Sequence, residues 1–209
     1  MLLAFDTATP HVTVALHDGT SVVAQFESEE SMRHGEMLAP GIERVLADAG
    51  ATAAALTGIA VGVGPGPFTG LRVGLVTART LAMVREIPVY GVCSLDILAA
   101  EAMDAGLDEF VVATDARRKE VYLASYAGGR RLHGPQVLKP EDAATDVAVV
   151  GRGGVLYPEH FPHATGPEHP SAAVLCDVVH RERFEILPPD PLYLRRPDAT
   201  EPGKPKRVS

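Results

Sequence analysis

With 209 residues, 46% of them hydrophobic and 22% charged, the chain has the composition of a soluble globular protein holding one large or two small domains. Its formal net charge of −8 excludes the overall positive field that draws proteins onto nucleic acid or anionic membranes, so in any RNA pathway a partner is expected to hold most of the RNA. The cysteines Cys93 and Cys176 are scattered and lack CxxC spacing, and the first apolar run breaks at Asp6; both point to a reduced, cytoplasmic protein without disulfide scaffold, zinc site, signal peptide or membrane span.

Leu2 to Phe5 reads as a buried strand ending at Asp6. HVTVALH alternates with period two, Asp18-Gly19 offers a turn, and TSVVAQFE reads as the return strand. After a polar loop, SEESMRHG, the period becomes helical: Met37, Leu38, Ile42, Val45, Leu46 and Ala49 define a helix capped at Gly50, with Pro40 at its start or in its first turn. GIAVGV is a strand, a second helix runs from Gly70 to about Arg85, PVYGV is a strand, and Ser94 is expected to N-cap a third helix ending near Gly106. Hairpins first and strand–helix units afterwards predict an α/β fold with mixed sheets flanked by helices.

The second half repeats the opening. Placing Asp115 under Asp6 puts Val121 under Val12, Leu123 under Val14, Ala124 under Ala15 and Gly128 under Gly19 without a gap, which reads as a duplication. The repeat divides the chain into residues 1–106 and a smaller, degenerate 107–209. Gln136 to Leu138 and VAVVG read as strands, and Ser171 to about Phe184 as a helix. The end from Pro188 is proline-rich and carries Arg195, Arg196, Lys204, Lys206 and Arg207; it reads as a solubilising terminus, or in PLYLRRPDA as a docking segment anchored by Leu192, Tyr193 and Leu194.

The run GVGPGPFTGLRVG, Gly62 to Gly74, has the look of a phosphate loop and fails the tests for one. Pro67 stands where a dinucleotide fingerprint starting at Gly62 needs its third glycine, no G-K-[ST] is present, and two prolines remove amide donors. Pro-Gly-Pro instead makes a rigid turn, with Thr69 as the expected N-cap of the next helix. On that helix Gly70, Gly74, Ala78 and Ala82 recur every fourth residue, a row that allows close packing against the protein's own sheet or against another molecule.

Together LLAFDTAT, RHGEMLAPGIERVL, IAVGVGPGPFTGLRVGLVTARTLA, IPVYGVCSLDILA, TDARRKEVY and PLYLRRPDA resemble the TsaB family, the bacterial tRNA threonylcarbamoyladenosine biosynthesis proteins also called YeaZ. Pro67, where the family usually has serine, departs from the pattern and keeps its turn character. The resemblance implies an actin/hexokinase/Hsp70-like (ASKHA) fold of two ribonuclease-H-like subdomains. It also implies a non-catalytic subunit that binds and activates a paralogue, TsaD, in threonylcarbamoylation of adenosine 37 of tRNAs reading ANN codons. The ATPase TsaE would be a third member and tRNA would be met through the complex, while the same seam could produce a homodimer when TsaD is missing. Met37, Leu38, Val45, Gly70, Leu71, Gly74 and Ala78 are the residues expected at the partner seam.

Two enzymatic alternatives are a stand-alone ATP-dependent phosphotransferase or ATPase and a glycoprotease-like metallopeptidase. The catalytic relatives carry two histidines at the start of a helix after a G-V-x turn; the matching places here hold Ser94 and Leu98. His160 and His163 flank Phe161-Pro162 and read as solvated, so no metal is expected. Nucleotide binding in this fold class uses glycine-containing turns after the first aspartate of each subdomain. The turns at Asp6 and Asp115 contain none, so no cofactor is expected; the two aspartates read as bonded to their own turns, with Arg117, Arg118 and Lys119 solvated or facing a phosphate or acidic partner.

Overall fold

The computed structural model describes residues 1–28 and 34–195; most of the SEESMRHG stretch and Arg196, Lys204, Lys206 and Arg207 lie outside the described residues. Strands β1 (Leu2–Asp6), β2 (Thr13–His17) and β3 (Val22–Glu27) form an antiparallel meander. β4 (Gly58–Gly62) and β5 (Val89–Val92) add parallel on the other side of β1, giving the order β3-β2-β1-β4-β5. β1 is central and covered on both faces, which is why its sequence is a continuous apolar run rather than an alternating one.

The second sheet repeats that plan. β6 (Phe110–Asp115), β7 (Val121–Ala127) and β8 (Arg130–Leu138) form its meander, and β9 (Ala148–Val150) and β10 (Ala164–Thr165) run parallel beside β6, in the order β8-β7-β6-β9-β10. The gap-free alignment of the two halves is corrected by one residue. Asp6 pairs with Thr13 across residues 7–12, whereas Asp115 pairs with Val121 across 116–120, a turn one residue shorter. Val121 therefore matches Thr13, not Val12, and Leu123 matches Ala15, not Val14. A slip of one reverses which face each side chain points to, and the preponderance of Val and Ala hid it.

Helices α1 (His34–Asp48) and α2 (Phe68–Arg85) cover one face of the first sheet, packing Leu38, Ile42, Val45, Leu71 and Leu75 onto Leu3, Phe5, Val14 and Leu16. α3 (Ser94–Asp104) is buried along most of its length, as expected for a helix that is apolar all round. Its Leu95, Leu98, Ala99 and Ala102 pack on Phe110, Val112 and Tyr126 of the second sheet. α5 (Ala172–His180) returns from the second half to pack Leu175, Cys176 and Val178 against Ala4, Ala15 and Ala60 of the first sheet. α4 (Arg152–Leu156), a single short turn unseen in the sequence, covers the second sheet's other face with Phe161.

Three local expectations are corrected. α1 is already formed at His34, so Pro40 lies in its second turn, where the residue is exposed. α2 starts at Phe68 with Pro67 at the N-cap position and no side-chain cap, so Thr69 does not cap it. Cys93, not Ser94, holds the N-cap position of α3, because the Ser94 hydroxyl is engaged elsewhere. Among the described residues no helix is long and apolar enough to cross a membrane.

Candidate functional site

The glycine run packs on the protein itself. A methyl group added at Gly66 would meet the Ala8 carbonyl oxygen at 2.3 Å, one at Gly70 the Thr7 carbonyl oxygen at 2.4 Å, and one at Gly74 the Thr7 hydroxyl at 2.4 Å. The loop after β4 and the first turns of α2 thus close onto the turn after β1, and the Thr7 hydroxyl donates to the Gly70 carbonyl across that contact (2.8 Å). Of the two packing partners left open for the small-residue row, this is the internal one.

Asp6 sits beneath the contact, 1% exposed. Its Oδ1 accepts the Ala8 amide (2.7 Å) and its Oδ2 accepts the Ser94 hydroxyl (2.5 Å), while Ser94 Oγ in turn accepts the Gly64 amide (3.2 Å). Burial raises the pKa of Asp6, with the Ser94 and Ala8 bonds opposing the shift. Asp115 Oδ1 likewise accepts from its own turn, at the Arg117 amide (2.8 Å), but that turn is on the surface. Arg117, Arg118 and Lys119 are exposed there in consecutive left-handed conformations, φ 61°, 56° and 59°. Both aspartates are therefore bonded within their own turns.

Most of the residues expected at a partner seam point inward, which is a correction. Leu38, Val45, Gly70, Leu71, Gly74 and Ala78 are buried on the core side of α1 and α2, and Met37 is half-buried against the same core. The outward side of α2 carries different residues: Val76, Met83 and Val84 are 61%, 74% and 70% exposed, with Val73 partly exposed beside them and Arg72 and Arg79 at the margin. The outward side of α1 carries Glu36, Glu43, Arg44 and Asp48. The small-residue row lies on the face turned to the core. The available signal was that α2 is apolar on two sides, one more than a sheet-covering helix needs.

Sequence reasoning also missed the contacts that join the halves. Asp96, on α3, is buried and accepts from the Tyr126 hydroxyl (2.7 Å) and from Arg131 Nη1 at both oxygens (3.1 and 2.9 Å). Between the turn after β1 and the loop before α5, His11 stacks on His169 with ring centroids 4.0 Å apart. That pair lines a cavity of about 560 Å³ with Thr9, Thr114, Asp115 and Arg152. Leu98 is fully buried in the hydrophobic core. His163 is exposed and His160 partly so, on the way to β10. Among the described residues no three His, Cys, Asp or Glu side chains come together as a metal site. Burial pushes both thiols, Cys93 and Cys176, up to about 12.

Two sheets of the same strand order, each opening with a three-stranded meander and separated by a buried helix, define an ASKHA-type protein of two ribonuclease-H-like subdomains. The family model described as TsaD, tRNA N6-adenosine threonylcarbamoyltransferase, matches residues 26–159. The crystal structure of YeaZ from Pseudomonas aeruginosa superposes with a TM-score of 0.77 at 32% identity, covering 92% of this chain and 99% of that one. An uncharacterized protein of Mycobacterium tuberculosis is 41% identical over 205 residues, 95% of this chain and 93% of its own. The tRNA threonylcarbamoyladenosine biosynthesis protein TsaB of Escherichia coli is 37% identical over 146 residues, 67% of this chain and 63% of its own. The chain belongs to this TsaD-like family and, within it, to the TsaB (YeaZ) branch.

Proposed function

We propose that the chain is a non-catalytic subunit of the threonylcarbamoyladenosine pathway that docks through the outward faces of α1 and α2 onto the catalytic paralogue TsaD and activates it on tRNA, with TsaE as the accompanying ATPase. The observation that carries the reading is the open apolar stripe of Val76, Met83 and Val84 on a helix whose other side is already fully used by the core. The TsaD family model spans both helices, so a TsaD chain brings an equivalent pair. Two such pairs meeting about a pseudo-two-fold axis would set the carboxylates of one α1 against the arginines of the other α2. A second copy of this chain offers the same match, so the same faces would form the homodimer expected when TsaD is missing.

The non-catalytic part of the reading is supported by what fills the two places where chemistry would be sought. Asp6 spends both oxygens on Ala8 and Ser94, and Leu98 is core. Val76→Asp is expected to weaken binding to purified TsaD about 100-fold while leaving the fold intact, since it changes an exposed residue. Modification of tRNA in a mixture of TsaD, TsaE, tRNA and threonylcarbamoyl-AMP is expected to require the chain. Saturable ATP turnover by the isolated chain, or full tRNA modification without it, would overturn the assignment.

A further inference from the structure

The open stripe of α2 is bordered by a strip of the protein's own C-terminal chain. Leu187 exchanges backbone hydrogen bonds with Gly91 (3.0 and 2.8 Å), closing the free edge of β5, and the Leu192 amide donates to the Val63 carbonyl (2.8 Å). Both leucines pack against the hydrophobic clusters of the first and the second sheet. Fixed at those two points, the chain lays Asp190 against Arg79 and Tyr193 against Phe68, with ring centroids 5.0 Å apart. The Arg72 guanidinium lies 3.6 Å over the Phe68 ring, and its Nε donates to the Tyr193 hydroxyl (3.3 Å). Beyond them Arg195 closes the far end on the Ala116 carbonyl (3.1 Å) and Glu120.

The two leucines hold this segment by backbone bonds and apolar packing, and Arg195 ties its far end. The Asp190–Arg79 pair is solvent-exposed, and pairs of that kind contribute little to folding. What the outer contacts achieve is order: two aromatic rings and a guanidinium are fixed side by side along the positions 68, 72 and 79, one stripe over from Val76, Met83 and Val84. Tyrosine and arginine dominate binding energy at protein interfaces, and groups already ordered lose less freedom on association. The guanidinium's outer edge makes no other bond among the described residues, so a carboxylate of the partner matches it.

We infer that Tyr193, with Phe68 and Arg72, is a binding hot spot continuous with the α2 stripe, and that the TsaD-type partner closes on it with an acidic side chain. The inference rests on the docking reading of α2 given above, and the test separates the two. Binding of TsaD to the full chain is measured for Val76→Asp, Tyr193→Ala and Arg72→Gln, with the melting temperature of each. Losses of about tenfold or more for Tyr193→Ala and for Arg72→Gln, beside the larger loss for Val76→Asp, are the expected result. If Val76→Asp weakens binding while both others stay within twofold, the hot spot is overturned and the α2 face stands. Normal binding by Val76→Asp overturns the α2 face and the inference with it. Should Tyr193→Ala melt early, Arg72→Gln decides alone, by the same tenfold and twofold criteria.

Discussion

The turns after β1 and β6 occupy equivalent places in two sheets of one strand order, yet they are held in opposite ways. The first is interior: Thr7 and Ala8 are nested against Gly66, Gly70 and Gly74, and Asp6 below them is bonded to Ser94 on α3. The second is one residue shorter and carries three exposed cations at its tip, with Asp115 accepting from the Arg117 amide and Arg195 reaching the Ala116 carbonyl and Glu120. The first copy also acquires α1 and α2 between its strands, whereas the second has only the short α4 after β9. What separates the copies is burial. Where helices cover the turn, each glycine becomes a fixed contact, and where the tip of the turn stands in solvent it carries three cations in left-handed conformations instead.

The largest test of this contrast is steric. An alanine methyl at position 62 would sit 1.7 Å from Asp6 Oδ2 and 2.8 Å from Ser94 Oγ, both buried, so either the strand or the bonded pair must give way. Gly62→Ala is expected to cost about 4 kcal/mol, through overpacking together with loss of the buried hydrogen bond. In a protein of this size that corresponds to a fall in Tm of about 8–16 °C. Asp115→Ala, at the exposed turn, is expected to cost less than about 1 kcal/mol. Equal melting shifts for the two variants would mean that the first turn is not clamped as described.

The same contrast explains what the sequence made legible. The strands around β1 and β6 and the helix pair were readable because each carries its own periodicity, and the duplication was readable from its landmarks Asp6 and Asp115. The one-residue slip was not, because Thr13-Val14-Ala15 and Val121-Tyr122-Leu123 are equally good strand sequences in either phase. Nor was the orientation of α2. Its row of small residues serves equally a partner helix or a turn of the same chain, and only the distance from Gly74 to Thr7 decides. Long-range polar pairs such as Asp96 with Arg131 leave no local pattern at all, and Asp96 in the sequence is simply an acid in the first turn of a helix.

Asp96 supplies the intermediate test, because it ties the well-covered first half to the sparse second one. Asp96→Ala leaves the buried Tyr126 hydroxyl and the Arg131 guanidinium without their acceptor, at an expected cost of about 3 kcal/mol. Tyr126→Phe removes one of those bonds and is expected to cost about 1 kcal/mol. Urea unfolding of both variants checks the ratio. If the link acts between the halves, Asp96→Ala should also broaden the transition or lower its m-value, as the second sheet begins to open before the first.

The smallest effect concerns the stacked imidazoles that bridge the first turn to the loop before α5. His169 is brought down to about 4, chiefly by burial and then by the neighbouring His11, with Glu168 opposing and Arg152 adding to the fall. The folded protein thus binds fewer protons at this site than the unfolded chain between pH 6.5 and 4. Its contribution to stability is present in full above pH 6.5 and is lost as the pH falls toward 4. His169→Gln cannot take up that proton, so its urea midpoint is expected to decline less than that of the parent between pH 7 and pH 4.5. Because the ring is part-exposed, the difference should be smaller than either stability effect above. An NMR titration of His169 with its midpoint near the ordinary 6.5 would show that the ring is solvated and that the two halves do not meet there as tightly as the stack requires.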